Sequence, residues 1–215
     1  MARSLELQNI VSQPESFRNE EWEKALFASF ADAKIDIDSE TPKIGPDGWP
    51  YLLVRTSAQA KEPTQKVIAW LSERGIGLAL NAHKNAPDYV FTYGMLWNFR
   101  VRGEFITKAE QLKSGPVEIS KDQKLWVGTP SESTLPSYVK EILREFFKQQ
   151  GQNQVRVAMV SADQKHYDLC FSLESLGDPQ TAEHRGLLEA IAWFMPAHYS
   201  LALLSEKQIT GFSNL

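Results

Sequence analysis

Four histidines and a single cysteine are the residues best suited to metal binding or nucleophilic chemistry in this sequence. The histidines are His83, His166, His184 and His198, and none stands at metal-ligand spacing from another or from Cys170. Cys170 has small and apolar neighbours and no basic residue near it in the chain, which favours a structural thiol over a nucleophile. The sequence therefore predicts no metal site and no catalytic residue.

Recognisable cofactor and hydrolase motifs are also missing. The chain has no Gly-x-Gly-x-x-Gly, no Gly-Lys-Ser/Thr phosphate loop, no Gly-x-Ser-x-Gly and no His-Glu-x-x-His. The run from Asp36 to Glu40 places carboxylates at alternate positions, but it lacks the glycine and the length of an EF-hand calcium loop. Acidic decoration of a strand edge is the better interpretation, and we predict no cofactor.

Two histidines leave alternatives open. His184 lies on the apolar face of a predicted helix, where a histidine at the rim of the core is favoured over a general base that needs a partner carboxylate. His83, in the loop from Asn81 to Asp88, is favoured as a solvated residue. The alternative is an enzyme or small-molecule site in a crevice between two domains, around His83, Asp88 and Tyr93.

Composition and charge restrict the class of protein. Of the 215 residues, 42% are hydrophobic and 23% are charged, as in an ordinary globular chain, and the net charge of −4 gives no reason to expect nucleic acid as a partner. No apolar run approaches the length of a membrane helix or of a signal peptide. Together with the lone cysteine, these features predict a cytoplasmic protein that binds no membrane and no nucleic acid.

Residues 1–106 predict a small mixed α/β domain. Its expected elements are a helix over 17–32, a strand at 35–37, a turn at 44–48, a strand at 51–55, a helix from 63 to 75 and a strand at 76–80. The apolar residues of 89–102 fit both the alternation of a strand and the repeat of a helix, and we expect the end of a strand followed by a short helix. Residues 107–123 are rich in lysine and glutamate and predict a linker. No internal repeat is apparent.

Residues 124–215 predict a second domain. The expected elements are a strand at 124–129, a helix at 136–150, strands at 155–159 and 167–173, a helix between Asp178 and Pro196, and a strand at 199–203. The order β-α-β-β-α-β is that of the ferredoxin-like split βαβ fold. The predicted class for the whole chain is therefore α+β.

Short motifs lie beside the predicted helices and strands of both halves. In the C-terminal half, the run Gly128-Thr129-Pro130-Ser131-Glu132 precedes a helix that leads into the apolar strand 155–160. In the N-terminal half, an Asp47-Gly48 turn and a strand ending at Thr56-Ser57 are followed by the run Leu78-Ala79-Leu80-Asn81. These motifs resemble the SseB family, the bacterial enhanced serine sensitivity proteins, although Ala82 stands where the family typically has proline. The resemblance implies a cytoplasmic protein with no established catalytic residues.

The residues that suggest a partner surface are aromatic or small. Strand alternation places Trp126, Ala158 and Cys170 on the sheet face away from the two C-terminal helices, where mostly small side chains predict a face covered by the N-terminal domain or by a second subunit. Trp193 points away from the apolar stripe of its helix and is either an interface residue or packed within the chain. We therefore expect a non-enzymatic interaction or regulatory protein, with a protein partner or self-association.

Overall fold

The computed structural model describes residues 2–108 and 124–215, which form an α+β protein. The chain divides into two compact units, Met1–Ile106 and Thr107–Leu215. Residues 109–123, most of the predicted linker, lie outside the described residues.

Four helices belong to the N-terminal unit: α1 (Ala2–Val11), α2 (Glu20–Asp32), α3 (Thr64–Ser72) and α4 (Tyr93–Arg102). The predicted helix over 17–32 begins later, at Glu20, because the side chain of Asn19 caps it by accepting the N–H of Trp22 at 3.0 Å. The sequence analysis missed α1, whose apolar positions are few; Leu7 and Val11 nevertheless lie in the core.

The N-terminal sheet has six short strands: β1 (Lys34–Ile37), β2 (Lys43–Ile44), β3 (Pro50–Arg55), β4 (Glu62–Pro63), β5 (Gly77–Leu80) and β6 (Tyr89–Phe91). The order is β4-β1-β3-β5-β6, with β2 also paired to β3. β3 and β5 are parallel, joined by α3, and β6 runs antiparallel to β5. The expected strand end and short helix over 89–102 are present as β6 and α4, whose first turn Thr92 caps.

The C-terminal unit contains the predicted β-α-β-β-α-β order and one further strand. Its elements are β7 (Trp126–Gly128), α5 (Ser137–Gln149), β8 (Arg156–Ser161), β9 (Asp168–Ser172), α6 (Thr181–Phe194), β10 (Ser200–Leu204) and β11 (Ser213–Asn214). Phe147 of α5 contacts Phe171 of β9, with ring centroids 5.9 Å apart, and so fixes the sheet face that the helix covers.

The ferredoxin-like strand order is not the one in this sheet. In a split βαβ fold the first and third strands are neighbours, whereas here the order is β10-β9-β8, with β7 and β11 both along the far edge of β8. The cause is the crossover through α6, which returns the chain beside β9 in parallel and so fills the place that the first strand would take. β7 is left to pair antiparallel with β8.

The two units share one succession of elements. A helix, an antiparallel strand pair, a crossover helix and a third strand parallel to the second appear as α2-β1-β3-α3-β5 and again as α5-β8-β9-α6-β10. The third strand reads Leu78-Ala79-Leu80 in one unit and Leu201-Ala202-Leu203 in the other. The sequence analysis found no repeat because three shared letters are too few to detect. The third strands differ in their neighbours: β5 has β6 as a second neighbour, whereas among the described residues β10 pairs with β9 alone.

Candidate functional site

The loop between β5 and β6 is held by its two end residues. The N–H of Asn81 donates to the carbonyl of Val54 at 2.7 Å, and the N–H of Asp88 donates to the carbonyl of Leu80 at 2.8 Å. Asn81 has a left-handed backbone (φ 56°), which asparagine tolerates better than most residues. Its side-chain oxygen accepts the N–H of Thr56 at 2.9 Å, so the loop is tied to the ends of both parallel strands.

Asp88 is the centre of a buried ionic cluster. One carboxylate oxygen accepts from Arg18 at 2.7 Å, while the other accepts from Asn81 at 2.7 Å and from the Lys84 ammonium. Burial alone would raise the pKa of Asp88, but the hydrogen bonds from Lys84, Asn81 and Arg18 outweigh it and hold the pKa below its usual value. A carboxylate with both oxygens engaged is suited to fixing the loop rather than to accepting a proton from a substrate.

The other two residues of the predicted small-molecule site have separate partners. The ring of His83 is exposed, with its Nδ1 3.9 Å from a carboxylate oxygen of Asp38. Tyr93 is fully buried, and its hydroxyl donates to the Ser72 carbonyl at 2.7 Å. Each side chain is thus explained by its own contacts, and the three do not converge on one free group.

The remaining candidates for acid–base or metal chemistry also have structural partners. Asp36 accepts from the Ser57 hydroxyl, and Asp38 pairs with Arg55 at 3.1 Å. The half-buried His184 donates its Nε2–H to the Pro179 carbonyl at 3.0 Å. Within residues 2–108 and 124–215, no three His, Cys, Asp or Glu side chains are grouped so that they could hold a metal ion.

Ala158 and Cys170, two residues of the predicted partner surface, are buried inside the C-terminal unit. Ala158 is 0% exposed and Cys170 is 1% exposed. The segment after β10 covers them, because Ile209 is buried against Ala158 and Cys170, and Phe212 packs against the same cluster. The cover is therefore the chain's own C-terminal segment, where we had expected the N-terminal domain or a second subunit.

The two tryptophans of that predicted surface also lie elsewhere. Trp126 is level with Ser161 of β8, so the pleat places it on the face of Met159 rather than on that of Ala158. Trp193 is only 7% exposed, and its ring meets that of Phe194 edge to face at 4.9 Å. Of the two alternatives for Trp193, the structure therefore agrees with packing within the chain.

A polar network anchors the C-terminal segment where β9 and β10 end. Glu206 accepts from the Ser172 hydroxyl and pairs with Arg156 at 2.6 Å, and its N–H donates to Glu174 at 2.9 Å. Ten residues after Ser205, the N–H of Leu215 donates to the Val155 carbonyl at 2.9 Å. These groups are all used in holding the segment down, which leaves none of them free for a ligand.

Among the described residues, no strand pairs with the outer edge of β10. The Leu204 carbonyl accepts the N–H of Leu173, just beyond β9, at 3.0 Å, so Leu204 directs its backbone groups toward β9. Because these directions alternate along a strand, Ser200 and Ala202 also face β9, whereas the N–H and C=O groups of Leu201 and Leu203 point away from it. These four outward groups form the open edge of β10.

The open edge of β10 lacks the charged side chains and prolines that often protect a sheet edge. Ser200–Leu204 contains no charged residue and no proline, and the strand is regularly paired to β9 over its whole length. In the N-terminal unit the matching leucines, Leu78 and Leu80, lie beside β6 and are 0% exposed. Leu201 and Leu203 remain half-buried. The absence of any charge between 199 and 205 was the sequence signal that could have indicated this edge.

None of the helices within the described residues combines the length and the apolar character needed to cross a bilayer. A comparison of the chain with protein-family models, curated proteins and solved structures gives no match.

Proposed function

We propose that this chain is a non-enzymatic cytoplasmic interaction or regulatory protein of SseB-like type, and that it binds a protein partner by adding a strand to β10. The open edge of β10 is the observation that carries the proposal. An extended partner segment would satisfy the outward N–H and C=O groups of Leu201 and Leu203. In the N-terminal unit, β6 lies beside Leu80 of β5, and the N–H of Asp88, the residue before β6, donates to the Leu80 carbonyl.

The state of the reactive side chains supports binding over catalysis. Both oxygens of the Asp88 carboxylate accept hydrogen bonds, the Tyr93 hydroxyl donates to a backbone carbonyl, and Cys170 is buried with its pKa raised to about 12, chiefly by burial and also by the charge of Asp168. General bases and nucleophiles need an accessible group with a pKa near the working pH. None of these three side chains offers one.

A proline at an outward position tests the proposal. Because the Leu203 N–H points away from β9, Leu203→Pro removes a donor from the open edge without removing a bond of the β9–β10 ladder. Leu203→Ala is the matched control, since it loses the same side-chain contacts but keeps the N–H. In affinity purification from the source cells, the tagged wild type and tagged Leu203→Ala should capture the same partner protein, counting untagged copies of this chain among the possible partners. Tagged Leu203→Pro should not capture it.

The result has a clear contrary outcome. If Leu203→Pro captures the same proteins as Leu203→Ala, then β10 is not the binding element and the proposal fails. Thermal unfolding shows whether the proline variant is folded; if it is not, Leu201→Pro and Leu201→Ala form an equivalent pair at the second outward position.

A further inference from the structure

We infer that the segment added to β10 is β10 of a second copy of this chain, so that two C-terminal sheets join edge to edge about a two-fold axis at Ala202. This rests on the proposed function, because it names the occupant of the same open edge.

The N-terminal unit of the same chain indicates the direction of the missing strand. There, the third strand of the shared succession, β5, accepts an antiparallel neighbour, with Leu78 level with Phe91 and Leu80 level with Tyr89. A two-fold axis perpendicular to two identical strands makes them antiparallel as well. A second β10 therefore restores in the C-terminal unit the arrangement that the N-terminal unit builds from a single chain.

The open backbone groups determine the register. Leu201 and Leu203 are the two residues whose backbone groups point outward. In an antiparallel pair of strands, two residues exchange both backbone hydrogen bonds only where an outward residue of one strand is level with an outward residue of the other. The register that uses both of them places Leu201 of one copy level with Leu203 of the other and forms four backbone hydrogen bonds. Ala202 then faces Ala202 across the axis as a non-hydrogen-bonded pair, with Cα atoms about 4.5 Å apart.

The side chains around the axis permit this approach. Ser200 lies level with Leu204 of the second copy, so no charge enters the paired strands. The residues that flank β10, Tyr199 and Ser205, are uncharged as well, so this register brings no like charges together beside the paired strands. The paired leucines would also lose part of their remaining exposed surface, as Leu78 and Leu80 do beside β6.

Site-specific disulfide formation tests the register. Ala202 is level with Cys170 of β9, so Cys170→Ala is needed as the background to prevent an internal disulfide. In that background Ala202→Cys places two thiols across the axis at a Cα separation within the disulfide range. Ser200→Cys is the matched control on the same face, because the two introduced cysteines would be roughly 14 Å apart along the strands. Under mild oxidation we expect Ala202→Cys to form the covalent dimer about tenfold faster than Ser200→Cys, or more.

The outcomes separate this inference from the proposed function. Equal cross-linking of the two variants, or none in either at millimolar chain concentration, would overturn the two-fold pairing. If Leu203→Pro still abolishes capture of a different protein in that case, strand addition at β10 stands and the occupant is that protein. If Leu203→Pro changes nothing, the proposed function itself has failed. Thermal unfolding under reducing conditions checks that both cysteine variants keep the native fold.

Discussion

At the scale of single residues, Asp88 is the clearest example of a group with chemical potential that the fold uses for support. It lies at the end of the loop that joins β5 to β6. Arg18, which precedes α2 in the chain, donates to both the carboxylate and the backbone carbonyl of Asp88. Its side chain is only 3% exposed. A buried carboxylate that binds two cations and one amide stabilises the loop.

We expect Asp88→Asn to destabilise the N-terminal unit by about 3 kcal/mol, because it leaves Arg18 and Lys84 without their buried counter-charge. Asp38→Asn is the control, since its partner Arg55 is 56% exposed and such pairs contribute less than about 1 kcal/mol. Urea unfolding followed by tryptophan fluorescence measures both free energies. Equal losses for the two variants would show that the Asp88 cluster has no special structural role.

The lowered pKa of Asp88 also predicts a pH dependence. A group whose pKa is lower in the folded protein contributes stability above its unfolded pKa, about 3.9 for an aspartate, and loses it as the pH falls through the folded value. The wild type should therefore lose unfolding free energy below about pH 4 more steeply than Asp88→Asn does. Parallel pH profiles for the two proteins would contradict this assignment.

Cys170 gives a second residue-scale prediction. Burial raises the pKa of its thiol to about 12, with a smaller effect of Asp168, so at neutral pH the thiol is protonated and enclosed. We expect a thiol-specific reagent to leave the native protein unlabelled and to label it once urea has unfolded the C-terminal unit. Rapid labelling of the native protein would show that the C-terminal segment does not cover this face.

At the scale of elements, the segment after β10 covers the sheet face that we had expected a second domain or subunit to cover. Ile209 and Phe212 cover Ala158 and Cys170, while β11 shares the edge of β8 with β7. The unit thus closes one sheet face and one sheet edge with its own last residues. The edge of β10, on the other side of the sheet, receives no such cover from the described residues.

We expect Ile209→Ala to cost about 2–4 kcal/mol of unfolding free energy, as for other buried aliphatic side chains cut back to alanine. Lys207→Ala, an exposed position of the same segment, should change it by less than about 0.5 kcal/mol. Chemical denaturation measures both variants. A loss at Lys207 as large as that at Ile209 would mean that the segment is not held by apolar burial.

The sequence predicted the elements better than their neighbours, for a physical reason. Apolar periodicity identified α2, α5 and α6 because it reports which face of a helix is buried. Alternation likewise placed Ala158 and Cys170 on one face of the C-terminal sheet. Neither pattern encodes which strand lies beside which, so the predicted ferredoxin-like strand order was wrong. A shift of one residue in the predicted alternation of β7 placed Trp126 on the wrong face of the sheet.

The candidate site was harder to predict than the fold. Sequence reasoning looked for reactive side chains and an apolar face, whereas the open feature consists of backbone groups on an uncharged strand. Whether a strand is an edge depends on the sheet order, which local patterns leave undetermined. The Leu-Ala-Leu run shared by β5 and β10 was visible in the sequence, but its meaning depends on the presence of β6 beside only one of them.

At the scale of the whole molecule, the chain consists of two compact units with the same succession of elements and with different edges. The N-terminal unit covers its third strand with β6, and its core contains residues of that sheet and of helices α1 to α4. The C-terminal unit covers the sheet face of Ala158 and Cys170 with its last residues, and no other described strand pairs with the outer edge of β10. Association through that edge would use the C-terminal unit for binding.

The boundary between the units predicts the products of limited proteolysis. Because the units divide between Ile106 and Thr107 and each has apolar residues buried within itself, we expect trypsin to cut near Lys113 or Lys121, which lie outside the described residues, and to release two resistant fragments. Mass spectrometry of the fragments identifies the sites. First cuts inside a helix or strand, with residues 109–123 intact, would contradict independent units.

Amide hydrogen exchange of β10 tests the central claim most directly. In dilute solution the outward N–H groups of Leu201 and Leu203 should exchange fast, whereas those of Ala202 and Leu204, which face β9, should exchange slowly. As the chain concentration rises to the millimolar range, the Leu201 and Leu203 amides should slow by about tenfold or more, with little change at Ala202 and Leu204. Slow exchange of Leu201 and Leu203 already in dilute solution, or fast exchange at every concentration and with every captured partner, would contradict binding through the open edge of β10.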